Sequence, residues 1–110
     1  MRIPSAILKF KQTVVTACCA VGLRDDQVVA IPGGISIPDY ELSVTLVVSE
    51  NARVWRAIER RYINVLGDED VKEYQTILFE DGLGRETNIA KRLAMRLAEM
   101  RIDIAIDNAA

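Results

Sequence analysis

The chain has 110 residues, of which 50% are hydrophobic and 27% charged, and this composition excludes a disordered chain and fits one globular domain. The 14 basic and 16 acidic residues give a formal net charge of -2, which excludes a global attraction to nucleic acid or to anionic lipid. Histidine is absent from the sequence, so Ser-His-Asp and Cys-His catalysis are excluded. We expect neither a metal nor a cofactor.

The two cysteines, Cys18 and Cys19, are adjacent in the sequence. Neighbouring cysteines rarely bridge to each other, and two thiols make no disulfide framework or zinc set. This usage indicates a reducing compartment, and we expect a cytoplasmic protein. Residues 15–18 resemble a lipoprotein cleavage box, but the apolar stretch after Lys11 is short for an export signal. No run reaches the roughly 18 apolar residues of a membrane span, so we expect no membrane partner.

The first periodic segment extends from Pro4 to Val21 and has the spacing of a helix. Apolar residues recur at intervals of three and four, at Ile7, Phe10, Val14, Cys18 and Val21. Gly22 offers a stop. The wide stripe predicts a helix that is buried against a sheet or a partner.

Residues 24–39 form the irregular part of the chain. Two short apolar runs, Val28–Ile31 and Ile35–Ile37, are separated by Pro32 and two glycines. A β-hairpin and a long surface loop both fit this pattern.

Residues 40–48 give the clearest strand signal. Tyr40, Leu42, Val44, Leu46 and Val48 alternate with mostly polar residues. The period of two predicts a strand that has one buried face and one mostly polar face.

A second helix is predicted between Ser49 as N-cap and Gly67 as stop. Its stripe consists of Trp55, Ile58, Tyr62 and Val65. A strand from Tyr74 to Phe79 follows.

A third helix is predicted from Arg85 to Met100, because Ile89, Leu93, Leu97 and Met100 share one face. Ile102, Ile104 and Ile106 then alternate with other residues and predict a last strand.

The predicted fold is therefore α+β, a mixed α/β domain of element order α-(β)-β-α-β-α-β. We expect a small two-layer sandwich with the helices mainly on one face of the sheet. One domain covers residues 1–110, with an N-terminal helix (1–22), a loop or short hairpin (23–39) and a βαβαβ core (40–107). The alternation of strands and helices favours right-handed crossovers and parallel pairing.

A glycine-containing turn is the first candidate site. Gly82 and Gly84 lie between a strand and a helix, and Arg85 begins that helix. Free N–H groups at a helix N-terminus bind anions. The third glycine of a dinucleotide fingerprint is replaced by Thr87, so a simple tight turn fits equally well.

Arginines form the second candidate site. Arg53, Arg56 and Arg60 would share one helical face, and Arg92 and Arg96 are one turn apart. Arginine suits phosphate or carboxylate groups, so this basic face could meet nucleic acid or an acidic protein. Interleaved glutamates are also typical of an ordinary solvated helix.

Carboxylates form the third candidate. Asp39, followed later by Asp70 and Lys72, has the letters of a metal-dependent nuclease core, in which carboxylates hold Mg²⁺. Such short matches are common by chance.

Three functional hypotheses follow, and catalysis is not the leading one. The first is a non-catalytic assembly or protein-interaction subunit that binds itself or another protein, because the apolar surface is large for a chain of this size. We expect its interface on the first helix and the final strand. The second is a phosphate or nucleic-acid binder that uses the arginines. The third is a small Mg²⁺-dependent nuclease.

Overall fold

A computed structural model describes residues 2–64 and 71–109 of the chain. In this part, five strands form one sheet, two α-helices stand before and after them, and short 3-10 helices occupy connections. The elements are α1 (Ser5–Cys18), β1 (Val29–Ile31), β2 (Gly34–Ile37), β3 (Leu42–Ser49), β4 (Ala52–Asn64), β5 (Val71–Gly82) and α2 (Glu86–Ala109). This architecture confirms the predicted α+β class.

The described sheet is an antiparallel meander in which the strands follow one another in the order β1-β2-β3-β4-β5. The prediction of parallel pairing within a βαβαβ core was wrong. A parallel crossover needs about a dozen or more residues, whereas successive strands here are joined by short connections. Each strand therefore pairs with the one that precedes it.

The first predicted helix is confirmed by α1. Its buried residues are Ile7, Phe10, Val14 and Cys18, which belong to the predicted stripe. A 3-10 turn extends the element to Val21, and Gly22 ends it with a φ of 87°. Glycine adopts this left-handed conformation without steric cost.

The irregular region folds as a hairpin, which decides between the two alternatives left open by the sequence. Val29 pairs with Ser36, and Ile31 pairs with Gly34 across the turn. Gly34 also approaches the next strand closely, because a Cβ built on it would lie 2.0 Å from the Val44 carbonyl oxygen. The strand predicted from residue 40 is confirmed as β3, where Leu42 and Val44 are buried.

The middle helix was predicted wrongly, since Ala52–Asn64 forms β4, while Val65 and the predicted stop at Gly67 lie outside the described residues. Trp55, Ala57 and Glu59 point to the core and are buried, so the true period is two. Ile58 and Tyr62 lie on the opposite face of the strand. Trp55, Ile58 and Tyr62 are spaced by three and four residues along the chain, and this spacing imitates the stripe of a helix.

The final strand was also predicted wrongly, because α2 continues without interruption from Glu86 to Ala109. Isoleucines at 102 and 106 are four residues apart and so satisfy the helical period as well as alternation. No glycine or proline separates Met100 from Ile102. The helix therefore has no local reason to end there.

Both helices contribute to one core on the same face of the sheet, as predicted. This core is built from α1, α2 and the inward residues of β2, β3 and β4, including Ile35, Val44 and Trp55. The helices run parallel, because Cys18 contacts the Ala90 carbonyl and Arg101 donates to the Val21 carbonyl. Neither helix of the described part is long and apolar enough to cross a membrane.

Candidate interaction surface

The two edges of the sheet, within the described residues, differ greatly in length. β1 has three residues, and β5 at the other edge has 12. All residues of β5 from Val71 to Ile77 are exposed, although both ends of the strand pair regularly with β4. An edge strand presents unpaired N–H and C=O groups, and such a row is a template for another strand. The long, exposed strand β5 is therefore the first feature of the candidate interaction surface.

Three large apolar side chains stand on this exposed part of β5. The exposed fractions are 57% for Val71, 47% for Tyr74 and 52% for Ile77. Val71 and Ile77 lie on the open face of the sheet, because they pair with Asn64 and Ile58. Tyr74 pairs with Arg61 and lies on the helix face. Apolar surface is thus offered on both faces of one edge.

A β-bulge separates the exposed part of β5 from the packed part. Ala57 pairs with Phe79 but its neighbour Ile58 pairs with Ile77, so Leu78 is the extra residue. Beyond the bulge, Phe79 is half-buried against the core. The regular exposed edge therefore extends from Val71 to Ile77 and ends there.

A groove of about 220 Å³ runs between β5 and α2 beside this edge. It is lined by Leu78, Phe79, Arg92, Met95, Arg96 and Glu99. The Arg92 guanidinium lies 4.1 Å from the centre of the Phe79 ring, which is a cation–π contact. Met95 is 66% exposed and Ile102, two turns further along α2, is 60% exposed. Met95 thus adds exposed apolar surface where the groove meets α2.

A partly buried ion pair connects α2 to the sheet below this groove. Glu59 is only 6% exposed, and Arg96 Nη2 donates to its two carboxylate oxygens at 2.8 and 3.1 Å. Arg61 Nε lies 3.4 Å from Glu59, and Arg96 Nη1 lies 3.3 Å from Glu99. The hydrogen bonds to Glu59 raise the pKa of Arg96 above its usual value, against the opposing effect of burial. No local sequence pattern indicates this pair, because its partners are 37 residues apart.

The predicted basic face is divided by the strand geometry of β4. Arg56 and Arg60 lie on the open face of the sheet, where Arg56 pairs with Glu80 at 3.2 Å and Arg60 with Glu73 at 3.6 Å. Arg53 belongs to the helix face, and it lines a separate cavity beside Trp55. Arg92 and Arg96 of α2 contact Phe79 and Glu59, as described above. The five arginines therefore do not share one face.

The predicted anion site is a turn in which carboxylates already bind the N–H donors. Asp81 accepts hydrogen bonds from Gly82 N at 2.9 Å and from Asn88 Nδ2 at 2.8 Å. Glu86 accepts from Gly84 N at 3.2 Å and from Trp55 Nε1 at 3.3 Å. The bonds from Asn88 and Gly82 lower the pKa of Asp81, and Arg85 adds to this effect. This arrangement does not favour binding of an external anion.

The residues of the nuclease hypothesis are not brought together by any described contact. Asp39 lies in the 3-10 turn before β3 and accepts a hydrogen bond from Gln27 Nε2 at 3.2 Å. Lys72 is exposed near the start of β5 and pairs with Ile63. Asp70 lies outside the described residues. Within residues 2–64 and 71–109, no group of three or more potential ligands could hold a metal ion.

The two cysteines differ in burial, and Cys18 belongs to the apolar stripe that the sequence predicts for the first helix. Cys18 is buried in the core, and its thiol lies 3.7 Å from the Ala90 carbonyl oxygen. Burial raises the pKa of Cys18 to about 11. Cys19 is exposed.

Comparisons of the chain with protein families, with curated proteins and with solved structures found no match.

Proposed function

We propose that this protein is a non-catalytic assembly subunit, present in the cytoplasm, that associates with copies of itself. The observation that carries the proposal is the long exposed edge of β5, whose exposed side chains include Val71, Tyr74 and Ile77. Met95 of α2 is exposed beside the adjoining groove. A long exposed edge strand that carries apolar side chains is a template for pairing with another chain.

The charges of the same region support a protein partner over a nucleic acid. Arg56, Arg60 and Arg96 each pair with a carboxylate of this chain. A phosphate backbone would have to displace these carboxylates before it could bind the arginines. Binding to nucleic acid gains its free energy from cations that are available to phosphate. The paired arginines of this chain lack that property.

The test is the absolute mass of the protein in solution, by light scattering coupled to size exclusion, at low and at high salt. We expect a defined multimer at both salt concentrations, because backbone hydrogen bonds and apolar contacts between strands are little affected by the screening of charges. A monomer at both salts across the accessible concentration range would contradict the proposal. Association that disappears at high salt would instead indicate contacts between charged side chains.

A further inference from the structure

We propose that two copies of this chain pair through residues 71–77 of β5, antiparallel and about a two-fold axis at Tyr74. This inference rests on the self-association proposed above and names its surface. The two sheets then join into one continuous sheet across the β5 edges.

The described part of the regular edge is centred on Tyr74. Residues 71–77 pair with β4 without irregularity, and the bulge at Leu78 interrupts the ladder directly after them. Among these described residues, a two-fold axis at Tyr74 pairs all seven across the two copies, and the choice between this register and its neighbours rests on the side chains.

The side chains are complementary to themselves in this register. Tyr74 lies opposite Tyr74 of the second copy, and Val71 lies opposite Ile77. In the same register, Glu73 lies opposite Gln75 of the second copy, and Lys72 lies opposite Thr76 of the second copy. Directly opposite residues lie within about 5.5 Å, so aromatic and aliphatic pairs stabilise the pairing and like charges would oppose it. All three exposed apolar residues of the strand find apolar partners.

Neighbouring registers lack this complementarity. An axis at Glu73 places this carboxylate opposite its own copy. An axis at Gln75 places Glu73 opposite Ile77 and Lys72 opposite Leu78, which sets charged residues against apolar ones. The pattern of charges thus selects Tyr74, because like charges at close range are destabilising.

The side of α2 supplies the rest of the interface. Met95 lines the groove next to Leu78 and Phe79 at the margin of β5. A strand added to this margin lies beside the groove, so its helix-face residues approach Met95. A stable interface buries about 800 Å² on each partner. Seven paired residues alone bury less than this, so the helix contribution is needed.

Disulfide cross-linking tests the register. In a Cys19→Ser background, Tyr74→Cys places two thiols at the axis, where Cα atoms lie about 4.5–5.5 Å apart and a disulfide fits. Thr76→Cys is the matched control on the same face. Its two copies are four residues apart along the strands, about 13 Å, which is beyond the reach of a disulfide. We expect mild oxidation to convert most of the Tyr74→Cys protein to a covalent dimer and to leave Thr76→Cys monomeric on denaturing gels.

A charge substitution tests the interface by mass. Tyr74→Lys places two lysines opposite each other at the two-fold axis. Because like charges at this distance are destabilising, we expect the mass from light scattering to fall by half. Val48→Lys makes the same kind of change at a strand position that is 73% exposed and lies away from β5. We expect this control to keep the parent mass. Circular dichroism of both variants verifies that they fold.

The outcomes separate this inference from the proposal on which it rests. A parent protein that is a monomer at all concentrations overturns both. A multimeric parent whose mass is unchanged by Tyr74→Lys overturns the β5 interface and leaves self-association intact. Equal cross-linking of Tyr74→Cys and Thr76→Cys overturns the register. A monomeric parent that captures an extended peptide at this edge would point to strand addition by another protein and would also overturn the pairing of two copies.

Discussion

The two halves of the sheet are built from similar residues but are buried very differently. In one half, Ile35, Val44 and Trp55 lie beneath the helices and are almost completely buried. In the other half, Val71 to Ile77 of β5 are exposed, although they are equally well paired in the ladder. Strand pairing alone therefore does not produce a core. The difference lies in what covers the sheet, since α1 lies over the first strands and contacts β1 and β2.

The boundary between the halves is marked by a polar contact rather than an apolar one. Glu59 and Arg96 connect β4 to α2 where apolar packing ends. A buried pair of charges holds two elements in one orientation, but replacing it by apolar residues often costs little. Its position beside the bulge at Leu78 separates the covered part of the sheet from the exposed edge.

The largest expected effect comes from charging the covered half. Leu93 is fully buried in α2, and Leu93→Asp would place a carboxylate in the apolar core. We expect a loss of about 4 kcal/mol or more in the free energy of unfolding, measured by urea titration. Lys91→Asp, two residues earlier at an exposed position of the same helix, should change stability by less than about 1 kcal/mol. Equal losses in both variants would mean that the described orientation of α2 is incorrect.

A smaller effect is expected from adding one methyl group where two strands approach closely. Gly34→Ala would bring a Cβ within 2.0 Å of the Val44 carbonyl oxygen, and backbone cannot move as easily as a side chain. We expect a loss of about 2–3 kcal/mol in the same titration. The adjacent Gly33 has open space around it, so Gly33→Ala is the matched control and should have little effect. Two indistinguishable variants would contradict the close approach of β2 and β3.

The smallest expected effect is a pH dependence that distinguishes two adjacent cysteines. The folded-state pKa of Cys18 is raised to about 11, so its thiol stays protonated when the unfolded chain has already ionised. Its contribution to stability is therefore complete below about pH 9 and is lost as the pH rises toward 11, by about 2 kcal/mol.

Thermal melts between pH 8 and pH 11 measure this loss. Cys18→Ala should show a shallower decline than the parent, because it removes the titrating group. Cys19→Ala removes the exposed neighbouring thiol and serves as the matched control variant. A decline of the same steepness in Cys18→Ala would assign the effect to other alkaline groups.

Local periodicity was sufficient to predict the elements that bury a simple apolar stripe. Ile7, Phe10 and Val14 of α1 and Leu42 and Val44 of β3 follow one period and lie in the core. In β4 the inward residues include Ala57 and Glu59, which carry no apolar signal. Glu59 is buried because Arg96 lies above it, and a contact between residues so distant in sequence leaves no local pattern.

The candidate surface was less accessible to sequence analysis than the core. The sequence predicts half of β5 as a strand, from Tyr74 to Phe79, but a strand is an edge only in relation to the order of all strands. That order was misjudged when β4 was interpreted as a helix. The last strand of an antiparallel meander always lies at an edge of the sheet. Once the strand order is known, Val71, Tyr74 and Ile77 are therefore expected at an uncovered margin.

The shortness of β1 has a consequence for how far an assembly of this protein could grow. A sheet that adds strands at both margins can extend without limit into a fibre. In this chain the opposite margin is three residues long and is followed directly by Pro32. Proline donates no amide hydrogen, and so short a margin gives little to a further strand. Two chains joined at β5 would therefore expose only the two short β1 margins. Growth of the assembly would stop at a closed particle instead of continuing into a filament.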